Sequence, residues 1–144
     1  MRILKAAILV GIVVCLAGLR LSLIAQDKFA TRTNVSTSNS RNYSDESPLI
    51  TANVNYADNR TGDPQSDVSN GKMNGTIIFD VDGKDFATVA SSTRCVSNGC
   101  WGVIAKAQLP KGLSVGDHVV KATYSGAKAY QGSTGSVTQH TLAR

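Results

Sequence analysis

One stretch near the C-terminal end of the chain constrains the fold most strongly. In the segment Leu113–Ser125, LSVGDHVVKATYS, a bend at Gly116 and Asp117 is followed by a strict alternation of two kinds of side chain. One set is His118, Val120, Ala122 and Tyr124, and the other is Val119, Lys121 and Thr123. A period of two places alternate residues on opposite faces of a β-strand. The segment therefore predicts a central strand of a two-layer β-sandwich, with its small and apolar side chains facing inward.

Shorter alternations recur along most of the chain, with turn residues between them. They lie at Thr31–Thr37 (as an edge strand), Leu49–Tyr56, Gly75–Val81, Asp85–Thr93, Trp101–Leu109 and Ser133–Leu142. The residues between 39 and 47 read as a loop, and 57–74 reads as a long polar insert of the kind that is often functional or disordered. About seven strands with no helix between them predict an antiparallel sandwich of the immunoglobulin type, formed as a single domain by residues 26–144.

The inward-facing residues of these alternations are expected to form the core. They are Ile50, Ala52, Val54, Ile77, Phe79, Val103, Ala105, Val120, Ala122 and Tyr124. Because side chains alternate with a period of two, a register wrong by one residue would expose Phe79 and invert the whole set.

Residues 1–25 differ in kind from the rest of the chain. Arg2 and Lys5 precede the apolar run Ala6–Leu19, which is typical of a secretory signal peptide that is cleaved after Ala25. Arg20 interrupts the apolar run, so an uncleaved N-terminal anchor is the alternative. Either form predicts an extracellular, periplasmic or cell-surface protein, with membrane contact only through an uncleaved N-terminal segment.

The charge of the chain argues against a nucleic-acid partner. The sequence has 15 Lys and Arg against 10 Asp and Glu, which gives a net charge of +5. Arg2, Lys5 and Arg20 belong to the leader, which contains no acidic residue, so the mature chain has 12 against 10, or +2. A charge this small does not indicate binding to nucleic acid.

Two of the three cysteines lie in the mature domain. These are Cys95 and Cys100. An even number of cysteines in an exported chain favours a structural disulfide. Their C-x4-C spacing is not that of paired zinc ligands or of a C-x2-C redox motif, although a free or metal-binding role is the alternative.

No catalytic or metal-binding set stands out in the sequence. Only two histidines are present, and neither a Ser–His–Asp set nor a pair of catalytic carboxylates can be recognised. Asp80, Asp82 and Asp85 surround Gly83, and a solvated hairpin is favoured there over a weak calcium site. The expectation is a non-enzymatic protein without metal or cofactor.

Three motifs resemble the bacterial immunoglobulin-like repeat family. They are GTIIFDVDG, LSVGDHVVKATYSG and AYQGSTGSVTQ, and the similarity is strongest over 75–142 and weaker over 30–56. The resemblance implies an immunoglobulin-like fold and a role as a spacer or binding module in secreted and surface proteins. It also implies that His118 is a structural corner residue that bonds to the backbone upstream. The chain departs from the family in its single copy, in its insert at 57–74 and in its cysteine pair.

The order of strands predicts which loops meet. Connections in a seven-strand sandwich alternate between its two ends, so 57–74, 95–100 and 126–132 should share one end. The candidate ligand-binding residues at this end are Arg60, Arg94, Trp101, Lys128 and Tyr130. Aromatic and cationic side chains together suit contact with a protein or a carbohydrate whose identity the sequence does not reveal. The alternatives are a structural spacer, in which Trp101 merely covers the disulfide, or an accessory domain of an extracellular hydrolase system.

Overall fold

The computed structural model describes residues 28–57, 64–97 and 99–144, and these form nine β-strands and one short helix. The elements are β1 (Thr31–Thr37), β2 (Arg41–Tyr43), β3 (Leu49–Tyr56), α1 (Pro64–Ser69), β4 (Thr76–Val81), β5 (Lys84–Ala90), β6 (Ser92–Val96), β7 (Gly99–Gln108), β8 (Gly116–Tyr124) and β9 (Ser133–Leu142). The predicted signal peptide at 1–25 and Arg60 lie outside the described residues. Within those ranges, no helix is long and apolar enough to cross a membrane.

The strands form two sheets. The four-stranded sheet has the order β1-β3-β7-β6, and the five-stranded sheet has the order β2-β9-β8-β4-β5. Every neighbouring pair is antiparallel except β2 and β9, which run parallel. The predicted all-β architecture of two sheets is therefore confirmed.

The core lies between the two sheets. Every residue that the sequence assigned to it is buried, and Phe79 has no exposed surface, which confirms the predicted strand register. The alternation predicts this set correctly because each strand has one face towards the other sheet. The connections add further buried side chains: Val68 and Met73 from the insert, Leu109 and Tyr130.

The prediction of one strand at Asp85–Thr93 is wrong. The chain forms two strands there, β5 in the five-stranded sheet and β6 in the four-stranded sheet, and it crosses between them at Ser91. The Ser91 hydroxyl donates to the carbonyl of Gly75 and accepts from its amide, both at 2.9 Å. Alternation within a segment cannot reveal this crossing, because it does not show which neighbour each strand pairs with.

Two further elements were not predicted. Residues 41–43 form β2 instead of a loop, and the polar insert contains α1, so the expectation of an all-strand domain with no helix is also wrong. Both elements are too short for a periodic pattern, and contacts with the sandwich define them. Asn42 is buried beside β9, where its side-chain oxygen accepts a 2.8 Å hydrogen bond from Gln139.

Candidate functional site

Three connections meet at one end of the sandwich, which we call the loop end: 57–75, 97–98 and 125–132. β3 finishes beside the start of β7, since Asn55 pairs with Gly102. β8 finishes beside the starts of β4 and β9, since Tyr124 pairs with Ile77 and with Ser133. Because the strand ends that these loops join lie together, the loops share that end.

The hairpin of β6 and β7 extends beyond the five-stranded sheet at the loop end. At this end the five-stranded sheet stops at Ser133, whose carbonyl accepts a hydrogen bond from the hydroxyl of Thr33. In the four-stranded sheet, Thr33 lies in the same row across the strands as Val103 of β7. The hairpin continues from there to the pair Val96–Gly99. Helix α1 packs against this extension, so the insert closes the end of the core that the shorter sheet leaves open.

The disulfide joins the two strands of this hairpin. Cys95 and Cys100 are register partners on β6 and β7, and their Cα atoms are 3.9 Å apart. The predicted disulfide is therefore present. It fixes the two strands to each other next to their turn, which limits how far the tip of the hairpin can open.

Hydrogen bonds hold the insert against the sheets. The buried hydroxyl of Tyr124 donates to the carbonyl of Met73 at 2.5 Å, and the hydroxyl of Thr93 donates to the carbonyl of Val68 at 3.2 Å. Burial raises the pKa of Tyr124 to about 12, so its hydroxyl remains a neutral donor at physiological pH. The part of the insert from Val68 to Met73 is thus attached to both sheets.

Arg94 crosses the outer face of the four-stranded sheet. One of its terminal guanidinium nitrogens donates to the side-chain oxygen of Asn55 at 2.7 Å, across the backbone of Gly102. A Cβ atom on Gly102 would lie 1.9 Å from the carbonyl oxygen of Val54, so only glycine allows this close approach of the strands. Within the described part of the chain, Nε of Arg94 is buried and has no hydrogen-bond partner. Arg94 is therefore held against the sheet by Asn55, and its unpaired Nε is not accessible to a ligand.

Two other predicted contact residues, Trp101 and Lys128, lie on different parts of the loop end. Trp101 is half-buried on β7, one residue beyond the disulfide, and alternation puts it on the face of Val103. Lys128 is exposed in the 125–132 connection. Arg94 and Trp101 lie on one hairpin, but no hydrogen bond or ring contact among the described residues joins Lys128 to either of them.

Tyr130 lies in the interior and not on the surface expected for a ligand contact. It has no exposed surface, and its ring packs against Phe29 with ring centroids 5.5 Å apart. The backbone of Phe29 pairs with the same loop, donating to Ala129 and accepting from Gln131. Tyr130 thus supports the loop from beneath. Of the remaining described candidates, Lys128 is exposed, whereas Arg94 and Trp101 are half-buried.

His118 lies at the opposite end of the sandwich and is buried. Its Nε2 is 2.8 Å from the carbonyl oxygen of Ser114, and its Nδ1 is 2.6 Å from a carboxylate oxygen of Asp82. A carboxylate and a carbonyl can only accept, so this site favours the protonated ring, in which both nitrogens donate. The hydrogen bond with Asp82 raises the pKa of His118. Since both nitrogens are bonded within the fold, His118 joins the bend at Ser114 to the turn at Asp82.

The remaining polar clusters have structural partners. A side-chain oxygen of Asp80 accepts from the amide of Gly83 and so caps the hairpin turn. His140 contacts Asp117 on the exposed side of the five-stranded sheet. In the described ranges, no group of three or more His, Cys, Asp or Glu side chains could hold a metal ion.

Sequence reasoning missed the polar face beside the loop end. A hollow of about 290 Å³ next to the Arg94 side chain is lined by Arg32, Asn34, Asn55, Tyr56 and Ala57. The signal for its polar residues was available, because Arg32, Asn34 and Asn55 occupy the outward positions of the predicted strands at 31–37 and 49–56. What could not be read from the sequence is that β1, β3, β7 and β6 are neighbours.

Comparison with known proteins gives no relative from which to infer a function. The sequence matches no protein-family model and no curated protein.

Proposed function

We propose that this chain is an exported immunoglobulin-like module that binds a protein or carbohydrate through its loop end and catalyses no reaction. The sheet order supports the immunoglobulin-like topology. β1-β3-β7-β6 corresponds to the strand order A-B-E-D, and β9-β8-β4 corresponds to G-F-C. β2 and β5 extend the second sheet by one strand at each edge.

The observation that carries the binding role is the braced hairpin at the loop end. The disulfide fixes one strand to the other, α1 supports the inner side, and the same hairpin carries Arg94 on its outer face and Trp101 on its inner face. A rigid surface loses less conformational entropy when a ligand binds. Arginine and tryptophan are also the side chains that most often dominate the free energy of binding at protein interfaces.

The disulfide also supports export. Disulfides persist in oxidising compartments and are rare in the cytosol, which agrees with the leader-like residues 1–25. The extracellular space, the periplasm and the cell surface all fit this chemistry.

A non-enzymatic role is supported by the state of the histidines. His118 uses both ring nitrogens as donors inside the fold. Nδ1 of His140 contacts Asp117, and no serine or cysteine side chain of the described ranges forms a hydrogen bond with its ring. A His-activated nucleophile needs its base within hydrogen-bond reach, and no serine or cysteine side chain of the described ranges forms such a bond with either ring.

A binding screen tests the proposal. The exported protein is applied to arrays of surface glycans and cell-surface proteins, and the bound ligand is titrated against Trp101→Ala, Arg94→Gln and Lys128→Gln. Lys111→Gln, which removes one exposed positive charge from the opposite end, is the matched control. We expect at least one loop-end variant to weaken binding by tenfold or more while the control binds normally. A protein that binds nothing on either array, or binding that none of the three variants changes, would favour the structural spacer.

A further inference from the structure

The four-stranded sheet contains no acidic residue in any of its strands. β1, β3, β6 and β7 carry Arg32, Arg94 and Lys106 and no aspartate or glutamate. The strands of the five-stranded sheet instead contain Asp80, Asp85 and Asp117 among their cations. The small positive charge of the mature chain is therefore concentrated on one side of the sandwich.

All three cations of the four-stranded sheet lie on its outer face. Alternation gives Arg32 the outward direction on β1 and Lys106 the outward direction on β7, and both are exposed. Arg94 reaches across the same face to Asn55. We call this surface the acid-free face; it consists of Arg32, Asn34, Ser36, Thr51, Asn53, Asn55, Ser92, Arg94, Ile104 and Lys106.

The strand register arranges this face as a grid. Arg32, Asn55, Gly102 and Arg94 form one row across the four strands, so two guanidinium groups flank a central amide. Three spacings between neighbouring strands, each about 4.8 Å, separate the backbones of the two arginines by about 14 Å. The next row is Asn34, Asn53, Ile104 and Ser92.

The charged groups of this face are free to receive a ligand. Within the described residues, Arg32 and Lys106 form no ion pair, and the one partner of Arg94 is the neutral Asn55 amide. Asn55 accepts from Arg94 through its oxygen, so its amide nitrogen remains available as a donor. The hollow of about 290 Å³ between Arg32 and Asn55 opens at this point.

We propose that the acid-free face binds a carboxylate-bearing polysaccharide. Guanidinium groups pair with carboxylates through two parallel hydrogen bonds, and side-chain amides and hydroxyls both donate to and accept from sugar hydroxyls. None of the residues that define the face is aromatic, although Tyr56 lines the adjoining hollow. Protein interfaces are centred on clustered aromatic anchors, and single-stranded nucleic acids need several aromatic side chains on which successive bases stack. Positive charge without acidic neighbours favours a polyanion, and the surrounding amides and hydroxyls favour one rich in hydroxyl groups.

This site shares Arg94 with the loop end, but Arg32 belongs only to the acid-free face, and Trp101 and Lys128 belong only to the loop end, so each proposal can fail alone. The exported protein is titrated with three uronic-acid polymers: polygalacturonate, alginate and hyaluronan. Methyl-esterified polygalacturonate retains the hydroxyls but removes the charges, and polyglutamate retains carboxylates but lacks the sugar. The variants are Arg32→Gln and Arg94→Gln, and Lys84→Gln, which removes a charge from the exposed edge of the five-stranded sheet, is the matched control.

We expect binding to at least one uronic-acid polymer, weaker binding at higher salt, and a loss of about tenfold in either arginine variant but none in Lys84→Gln. The methyl ester and polyglutamate should bind at least tenfold more weakly. Because Arg32 is exposed and has no hydrogen-bond or ion-pair partner among the side chains that the structure describes, Arg32→Gln reports on binding even if Arg94→Gln unfolds.

Four results would overturn this proposal: no binding to any of the three polymers, equal binding of the methyl ester, equal binding of polyglutamate, or arginine variants that bind normally. If Trp101→Ala and Lys128→Gln abolish binding while Arg32→Gln does not, the loop end is the binding site. In that case the proposed function stands and the acid-free face has no such role.

Discussion

Nδ1 of His118 lies 2.6 Å from a carboxylate oxygen of Asp82, which is 36 residues away in the sequence. The other carboxylate oxygen accepts from the amide of Val119 at 2.9 Å. Asp82 and Gly83 both have positive φ angles, 51° and 80°, so they form the predicted tight turn between β4 and β5. One carboxylate thus joins this turn to β8.

This pair makes stability depend on pH in a defined direction. The hydrogen bond with Asp82 raises the pKa of His118 above its ordinary 6.5. The contribution of His118 to the free energy of unfolding is therefore complete below pH 6.5 and disappears as the pH rises through the folded-state pKa. The hydrogen bond with His118 lowers the pKa of Asp82 below its ordinary 3.8. The contribution of Asp82 to the free energy of unfolding therefore disappears as the pH falls through that lowered pKa. Urea unfolding across pH 3–9 should show the largest contribution between about pH 4 and 6.5.

Asp82→Asn isolates the charge of the pair. Asparagine tolerates the positive φ angle and retains an acceptor for Val119, but it cannot stabilise the imidazolium. We expect a loss of about 1 kcal/mol near pH 6, reduced by the solvent exposure of the carboxylate, and a flatter pH profile. Asp85→Asn is the control, because Asp85 is an exposed carboxylate on β5 that forms no ion pair with another described residue. An unchanged pH profile in Asp82→Asn would show that the pair is not the source of the dependence.

Gly102→Ala should disturb the four-stranded sheet. The new methyl group would lie 1.9 Å from the carbonyl oxygen of Val54, so β3 and β7 would have to separate. A loss of about 1–3 kcal/mol is expected from this overpacking, and the bond from Arg94 to Asn55 should weaken with it. Thr51→Ala, an outward-facing change on the same sheet, should cost under about 0.5 kcal/mol. Equal stability of the two variants would contradict the close strand approach.

Removing the disulfide should leave the sandwich folded. Cys95→Ser/Cys100→Ser opens a short loop, for which the chain-entropy model gives about 2 kcal/mol. Circular dichroism and urea unfolding should show a cooperative β-protein with a lower midpoint, and binding at the loop end should fall more than stability does. A double variant that does not fold would mean that the disulfide holds the core and not just the hairpin.

Tyr124→Phe should release the insert. The variant leaves the buried carbonyl of Met73 without its 2.5 Å donor, which costs about 1–3 kcal/mol. Hydrogen exchange should become faster in residues 66–74, whereas Tyr43→Phe, at an exposed tyrosine, should have little effect. Unchanged exchange in the insert would show that Tyr124 does not hold it.

Phe79→Ala tests the core directly. Phe79 is fully buried, and its ring centroid lies 6.1 Å from that of Phe86. Loss of these contacts and the resulting cavity should cost about 3–5 kcal/mol in urea unfolding. Val119→Ala, at a position on β8 that is 48% exposed, should cost far less. Comparable losses in the two variants would be inconsistent with the assigned faces of the strands.

The sequence predicts the parts of this fold that follow from local periodicity. The alternation of Val120, Ala122 and Tyr124 identifies a buried face, and Asp82–Gly83 identifies a hairpin. Contacts between distant segments leave no such local pattern. β2 depends on the bond between Asn42 and Gln139, and the crossing at Ser91 depends on Gly75.

The position of the candidate site could be predicted from the sequence, but the contacts of its side chains could not. The strand order brings the loops together, and the Cys95–Cys100 pair follows from its position beside a turn. The burial of Tyr130 depends on Phe29, a residue more than 100 positions earlier in the chain, so the sequence alone suggested an exposed ring. Likewise, the contact between Arg94 and Asn55 requires knowing that β7 lies between β6 and β3.

An NMR titration would decide most directly whether this sandwich binds a ligand at the acid-free face or at the adjoining loop end. The ¹⁵N-labelled protein is titrated with the tightest-binding uronic-acid oligomer, and amide shifts are followed residue by residue. We predict saturable changes at Arg32, Asn55 and Arg94, with the amides of Thr123 and Ser136 on the five-stranded sheet unaffected. Changes confined to the five-stranded sheet, or no change at millimolar oligomer, would contradict binding at this surface.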